Sequence, residues 1–320
     1  MTAVARTGPS LAWVTGATSF LGRHVARALA ASGCSVVCLA RAGTPDSIAT
    51  DWGFCAMESG PFEPALLERV LVRFGAPQLI FHAIGSGSVG QALADPKADA
   101  ARTLGTLATL SDVLHNLGPK PRLIYPSSAA VYGDAGAAPT AETAATSPVS
   151  VYGQSKLTAE EFCQRCASED GLEIVIMRLF SLFGAPQRKL LFWDLGRRIL
   201  SGETVITLGG SGTETRDFIH VKDAARAVAM LAAARNPPPL VNVGSGHATA
   251  IREVTTAFAS ALAVPVRIEF SGVTRPGDPL HQQANIALLR TTGFEPQVEL
   301  DAGLAEYAAW LRGIGPAAES

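Results

Sequence analysis

A tyrosine and a lysine four residues apart carry the most specific chemical signal in the sequence. Tyr152 and Lys156 lie in PVSVYGQSK, at the predicted start of a helix, so both side chains project from one helix face. A tyrosine hydroxyl has a reference pKa of about 10, and a neighbouring ammonium lowers it, which favours proton exchange near neutral pH. Ser128, in LIYPSSAAVYG, is placed to hold a substrate oxygen against Tyr152. We predict that these three residues are catalytic.

A glycine-containing turn near the start of the chain predicts a dinucleotide site. In WVTGATSFLGRHVARAL a strand, a tight turn and a helix follow one another directly. Gly16 allows the turn, Gly22 lets the helix pack closely on the strand, and the helix N-terminus offers N–H groups to a pyrophosphate. Ser19 stands at the middle glycine position, where its hydroxyl can bind a phosphate. The predicted cofactor-binding residues are Gly16, Thr18, Ser19, Phe20, Leu21, Gly22, Arg41, Tyr152 and Lys156.

The end of the second predicted strand bears on the choice of cofactor. CLARAG places Ala40 and Arg41 where an NAD-specific enzyme carries a carboxylate for the ribose hydroxyls. A carboxylate repels a 2'-phosphate, whereas an arginine attracts one. We therefore expect a preference for NADP(H), with NAD(H) as the alternative, because Arg41 can instead stack on adenine from a solvated loop.

The elements that must position these residues follow an alternating pattern. Short apolar runs rich in β-branched residues alternate with helical patterns rich in alanine and leucine, which is typical of βαβ units around a parallel sheet. Strands are predicted at residues 11–15, 35–39, 79–82, 123–126 and 173–178. The predicted fold class is α/β, with a Rossmann-type doubly wound parallel sheet and a smaller C-terminal substrate-binding lobe.

Beyond residue 178 the pattern loosens into segments punctuated by glycine and proline, which can line a pocket. Helices are predicted there at residues 223–234, 251–263 and 302–311. We expect residues 1–178 to form the dinucleotide-binding domain, to which a later segment near 215–243 returns. Residues 179–320 then form most of a discontinuous substrate-binding lobe.

Composition excludes several classes of protein. The chain is 48% hydrophobic and 17% charged, and its net charge of -2 favours neither nucleic acid nor an anionic membrane as a partner. Its five cysteines are an odd number scattered over a long chain, which argues against a disulfide framework. Cys163 and Cys166 have CxxC spacing without a second pair or a histidine cluster, so no metal is predicted. We expect a soluble cytoplasmic protein.

The order of several motifs resembles that of one enzyme family. TGATSFLG, SSAAVYG, PVSVYGQSKLTAE, RLFSLFG, ETRDFIHVKDAA, VNVGSG and RPGDP are similar to segments of extended short-chain dehydrogenases/reductases of the NAD-dependent epimerase/dehydratase type. The resemblance spans nearly the entire chain. It implies a catalytic triad of Ser128, Tyr152 and Lys156, with the tyrosine as acid and base. It also implies that Arg216 and Arg275 bind the diphosphate of a nucleotide-sugar, and that the protein is a homodimer.

Departures from the family pattern narrow the expected reaction. Ser181 and Arg102 stand where many relatives have asparagine, which puts the usual substrate pose in doubt. Ser181 is nevertheless predicted to contact the substrate. A dehydratase of this family needs an Asp-Glu pair directly after the hydroxyl residue, and Ala129 and Ala130 cannot transfer protons.

The sequence is compatible with three functions. Arg41 favours an NADPH-dependent reductase of a 4-keto (6-deoxy) nucleotide-hexose. The alternative is a nucleotide-sugar 4-epimerase with tightly bound NAD, and a less favoured third is a non-catalytic dinucleotide sensor.

Overall fold

The computed structural model describes residues 8–44, 56–85, 87, 89–273 and 279–314. Seven parallel strands form the central sheet in the order β10-β6-β5-β4-β1-β2-β3. Their bounds are Leu11–Thr15 (β1), Ser35–Ala40 (β2), Ala56–Ser59 (β3), Leu79–His82 (β4), Arg122–Ser128 (β5), Ile174–Leu179 (β6) and Leu240–Val243 (β10). The predicted α/β fold with a Rossmann-like parallel sheet is confirmed.

Two smaller sheets lie outside the central one. One contains Ser181–Phe183 (β7), Thr215–His220 (β9) and Ala248–Ala250 (β11), in the order β11-β9-β7. The other pairs Val205–Leu208 (β8) with Arg267–Phe270 (β12).

Helices cover both faces of the central sheet and build the smaller lobe. Those in the first half of the chain are Phe20–Ala31 (α1), Pro64–Phe74 (α2), Val89–Ala94 (α3), Pro96–Ala100 (α4), Thr106–His115 (α5) and Val151–Asp170 (α6). A π-helical turn, Ala101–Gly105, joins α4 to α5. The later helices are Leu190–Leu200 (α7), Val221–Ala233 (α8), Ile251–Leu262 (α9), Ala287–Arg290 (α10) and Leu300–Ile314 (α11). None of the helices in the described ranges is long and apolar enough to cross a membrane.

The five predicted strands are all present: two, at residues 11–15 and 79–82, have the predicted bounds, and three have shifted ends. The second extends to Ala40, the fourth covers Arg122–Ser128, and the fifth covers Ile174–Leu179. Two strands of the central sheet, β3 and β10, were not predicted. Because β5 runs as far as Ser128, this residue belongs to the strand end itself, where ligands of open α/β sheets bind.

The continuous apolar character of the strands explains their burial on both faces. Trp13, Val14, Ile80 and Phe81 are completely buried, as expected for strands of a parallel sheet covered by helices. The smaller lobe has its own core of aromatic rings, formed by Phe183, Phe192, Phe218, Phe258 and Tyr307.

The chain returns to the central sheet after entering the smaller lobe. Helix α8 packs against α1, and β10 pairs with β6 at the sheet edge. Strand β9, by contrast, belongs to the three-stranded sheet. The division into two functional domains near residue 178 stays a prediction.

A buried arginine fastens the end of α8 to the sheet. The guanidinium of Arg122, at the start of β5, donates hydrogen bonds to the carbonyl oxygens of Leu231, Ala232 and Ala234 at 2.7, 2.9 and 2.9 Å. It also pairs with Glu173 at 2.6 Å. Because the last carbonyls of a helix lack partners within the helix, Arg122 satisfies groups that would otherwise be buried unpaired.

We therefore expect Arg122→Met to lower the free energy of unfolding by about 3 kcal/mol, since buried carbonyls lose a charged donor. Urea denaturation followed by circular dichroism measures this loss. Glu173→Gln is the matched control, because the Glu173 side chain is half-exposed and surface ion pairs contribute little. Equal stability of Arg122→Met and the unmodified protein would contradict this account of α8.

Candidate functional site

The first turn of α6 is held tightly against the end of β5. Ser150 caps the helix, its hydroxyl accepting a hydrogen bond from the Gly153 N–H at 3.1 Å. A Cβ atom at Gly153 would lie 2.5 Å from the Ala130 carbonyl oxygen, so only glycine permits this approach. The contact places Tyr152, which follows the cap by two residues, beside the strand end that carries Ser128.

The structure brings the three predicted catalytic residues together. The Ser128 hydroxyl interacts with that of Tyr152 and favours its phenolate. The Lys156 Nζ lies 5.9 Å from the centre of the Tyr152 ring. All three side chains line one open cavity of about 1060 Å³. The cavity runs from the glycine turn to the smaller lobe, which suits an elongated ligand.

The predicted acidification of Tyr152 is wrong for this structure. Removal from water raises the pKa of Tyr152, and the hydrogen bond with Ser128 opposes this only in part. The Lys156 ammonium is turned toward β5 instead, where it donates to the Pro126 carbonyl oxygen at 2.9 Å and to the Tyr125 hydroxyl at 3.4 Å. Burial lowers the pKa of Lys156 to about 8.

The glycine turn has the close packing that a bound pyrophosphate requires. Gly16 has a positive φ of 64°, and a Cβ atom at Gly22 would lie 2.4 Å from the Gly16 carbonyl oxygen. Ser19 caps α1, its hydroxyl accepting from the Gly22 N–H at 3.1 Å. The turn therefore exposes the first N–H groups of α1 to a ligand, and its cradle fits a dinucleotide.

The other predicted cofactor residues are distributed around this turn. Ser19, Phe20 and Leu21 line the cavity. The carbonyl of Thr18 accepts from Arg23 at 3.0 Å within the turn. Arg41 is exposed directly after β2.

His82, at the end of β4, lies behind the turn. Its Nδ1 is 2.9 Å from the Thr15 hydroxyl, and its Nε2 is 3.0 Å from the Thr106 hydroxyl. Burial lowers the pKa of His82 to about 3, so the ring is neutral at physiological pH. This histidine ties β1, β4 and α5 together beneath the cofactor site.

Two of the three predicted substrate contacts beyond Ser128 line the same cavity. Ser181 begins β7, and Arg216 lies in β9 with its Nη1 donating to the Thr215 carbonyl at 2.8 Å. Arg275 lies outside the described residues. Arg102 is exposed on the π-helical turn, not in the cavity lining.

A basic pair at the start of α7 was missed by sequence reasoning. Arg188 and Lys189 line the cavity, and the Lys189 Nζ donates to the Gly87 carbonyl at 3.2 Å. The signal that could have found them is their position in GAPQRK, directly after the RLFSLFG motif. Their charges make this wall suitable for an anionic ligand.

The two cysteines of the CxxC motif are buried in the packing of α6. Cys163 and Cys166 lie on α6, buried against the central sheet as free thiols. Within the described ranges, acidic, histidine and cysteine side chains form no group of three that could hold a metal ion.

Comparison with known proteins identifies a matching family and several similar enzymes. The family model for the NAD dependent epimerase/dehydratase family matches residues 12–244. A UDP-glucose 4-epimerase from Azospirillum brasilense is 28% identical, covering 94% of this chain and 92% of that protein. UDP-glucuronate 4-epimerase 3 from Arabidopsis thaliana is 25% identical over 94% of this chain and 76% of its own length. The structure of a Thermus thermophilus UDP-glucose 4-epimerase in complex with NAD has a TM-score of 0.84 at 25% identity, covering 95% of this chain and 99% of that one.

The packing of Gly22 yields a direct test of the turn. We expect Gly22→Ala to weaken NAD binding at least about tenfold, equivalent to ~1.4 kcal/mol, because the added methyl group displaces the turn or the helix. Isothermal titration calorimetry measures the affinity on protein freed of bound nucleotide. Gly313→Ala is the control, since a Cβ atom there meets nothing within 4 Å. Equal affinities of Gly22→Ala and the control would show that the turn does not bind the dinucleotide.

Proposed function

The chain belongs to the NAD-dependent epimerase/dehydratase family, and within it we propose that the protein is a 4-epimerase of a nucleoside-diphosphate sugar with tightly held NAD. The observation that carries this proposal is the placement of Ser128, Tyr152 and Lys156 together in one cavity beside the glycine turn. The relatives that match nearly the whole chain are 4-epimerases, which supports this reaction over the reductase that Arg41 favours.

The residues at the strand end account for the proton chemistry. Ser128 and Tyr152 hold the sugar C4 oxygen between their hydroxyl groups, and Tyr152 accepts its proton when C4 is oxidised. When bound, NAD supplies the hydride acceptor and then the hydride donor for C4. The 4-keto sugar turns its other face before reduction, and Tyr152 returns the proton to the C4 oxygen. Burial disfavours the phenolate that this cycle needs, so the Lys156 ammonium must stay charged nearby.

The cationic cavity wall supports a nucleotide-sugar as substrate. Arg216 is suited to bind diphosphate oxygens through its planar guanidinium, and Arg188 and Lys189 add positive charge to the same cavity. The related 4-epimerases are named for UDP-glucose and UDP-glucuronate, so we propose a UDP-sugar. Arg275 and a homodimeric assembly remain predictions.

Two other reactions fit the site less well. A dehydratase would need a proton donor and acceptor at Ala129 and Ala130, which are aliphatic. An NADPH-dependent ketoreductase is the second candidate, because Arg41 is exposed after β2 and Ala40 replaces a ribose-binding carboxylate. A sensor without activity would not require the assembled triad.

Interconversion of UDP-glucose with UDP-galactose, or of UDP-glucuronate with its 4-epimer, tests the proposed reaction. Product is separated by chromatography without added cofactor. We expect Tyr152→Phe to lower kcat by a factor of at least about 10², because the proton acceptor is lost. Tyr132→Phe is the matched control, since the buried Tyr132 hydroxyl donates a hydrogen bond to the Asn242 Oδ1 at 2.7 Å. Undiminished turnover by Tyr152→Phe would refute its catalytic role.

The nucleotide released from the purified protein on denaturation distinguishes epimerase from reductase. We expect NAD, identified by mass spectrometry, and no net NADPH oxidation when a UDP-4-keto-6-deoxy-hexose is added. Stoichiometric NADPH consumption would favour the reductase. In that case Arg41→Ala should weaken NADPH binding at least tenfold without changing NADH binding, since only NADPH carries the 2'-phosphate.

A further inference from the structure

A carboxylate is buried next to the proposed proton-transfer site. Asp99 lies in α4 and has no exposed surface. Neither of its carboxylate oxygens has a hydrogen-bond partner in the described part of the chain. Burying a carboxylate without partners is costly, so acidic side chains are rarely buried unless a positive charge lies near them.

Lys156 lies on the helix against which the segment carrying Asp99 packs. Helix α4 and the π-helical turn after it pack against α6. Gly85 lies beside the ammonium and the π-helical turn, since a Cβ atom at Gly85 would lie 3.7 Å from the Lys156 Nζ and 3.6 Å from the Thr103 hydroxyl. The negative charge of Asp99 raises the pKa of Lys156 against the opposing effect of burial.

The other titratable groups around Lys156 act on its pKa less strongly than Asp99 does. They are Tyr125 on β5, His82 on β4, Tyr152, Glu160 and Cys163 on α6, and Lys189 before α7. Glu160 is neutralised by Arg178, whose Nη2 lies 2.7 Å from Oε2. Burial raises the pKa of Cys163 and Tyr125, so both are uncharged near neutral pH. Among the described groups that raise the pKa of Lys156, Asp99 has the largest effect, and its carboxylate oxygens have no hydrogen-bond partner.

We propose that Asp99 is the counter-ion of Lys156, and that it keeps the ammonium charged within the cavity wall while Tyr152 exchanges its proton. Asp99 acts through Lys156 and is therefore a positioning residue. The role in proton exchange rests on the proposed function. The electrostatic coupling between Asp99 and Lys156 does not, because it is a property of the folded protein with or without turnover.

The sign of the pH effect follows from the two charges. Asp99 raises the pKa of both Lys156 and Tyr152. Replacing it by the isosteric, neutral asparagine lowers both values. If charged Lys156 is required, activity is lost as pH rises through the Lys156 pKa, so Asp99→Asn should lose activity at lower pH than the unmodified protein.

Direct titration of the lysine tests the coupling. The protein is labelled with ¹⁵N at lysine Nζ, and the Lys156 signal is identified by its absence in Lys156→Met. We expect a titration midpoint near 8 in the unmodified protein, and a midpoint lower by roughly one pH unit in Asp99→Asn. Asp95→Asn is the matched control, because Asp95 is an exposed cap of the same helix whose Oδ1 accepts from the Ala98 N–H at 2.9 Å. An unchanged midpoint in Asp99→Asn overturns the proposal.

A stability cycle covers the case in which Asp99→Asn folds poorly. Urea midpoints are compared for Asp99→Asn, Lys156→Met and the double variant. Coupled charges predict that the double variant loses less than the sum of the single losses, because neither charge is left buried without the other. Additive losses overturn the proposal. If the unmodified protein shows no epimerase activity, the titration and this cycle still decide the coupling, so the two failures are distinguishable.

Discussion

The close contact between Gly153 and the Ala130 carbonyl is the constraint on which the site depends. It holds the first turn of α6 against the end of β5. The spacing of the helix then sets the positions of the side chains farther along α6. Tyr152 meets Ser128, and Lys156 reaches back to the Pro126 carbonyl one turn later. A further turn along, Glu160 holds both Arg178 of β6 and Ser127 of β5. One helix thereby joins two strands and the proposed proton-transfer groups into a single unit.

The parallel sheet brings the cofactor site to the same edge. Strands β1, β4 and β5 end side by side, so the glycine turn after β1, His82 at the end of β4 and Ser128 at the end of β5 are neighbours in space although distant in sequence. The neutral bridge that His82 makes between two threonine hydroxyls adds no charge to this edge. Positive charge near Tyr152 then comes from Lys156, whose burial has to be offset by an anion, the role we infer for Asp99.

The residues that sequence could identify are those whose geometry is local. Tyr152 and Lys156 are related by one helical turn, and the glycine turn is a continuous segment, so spacing predicted both. Strand β3 was missed because AMES is short and polar at its end. The pKa shift of Tyr152 had the wrong predicted sign because the sequence shows the nearby lysine but not the burial that outweighs it. Asp99 gave no signal, since its burial arises only when α4 packs against α6. The exposed Arg41 favoured NADPH, whereas the similar Thermus thermophilus structure is a complex with NAD.

The fate of the C4 hydrogen shows whether one cofactor stays bound through oxidation and reduction of the sugar. The protein would be incubated with a UDP-hexose deuterated at C4 in ordinary water, with unlabelled NADH added, and the product examined by NMR spectroscopy. An epimerase that holds one NAD through the whole cycle returns the same hydrogen, so we expect full deuterium at C4 of the inverted product. Deuterium appearing in the added NADH pool or in water, with hydrogen at C4 of the product, would contradict this expectation.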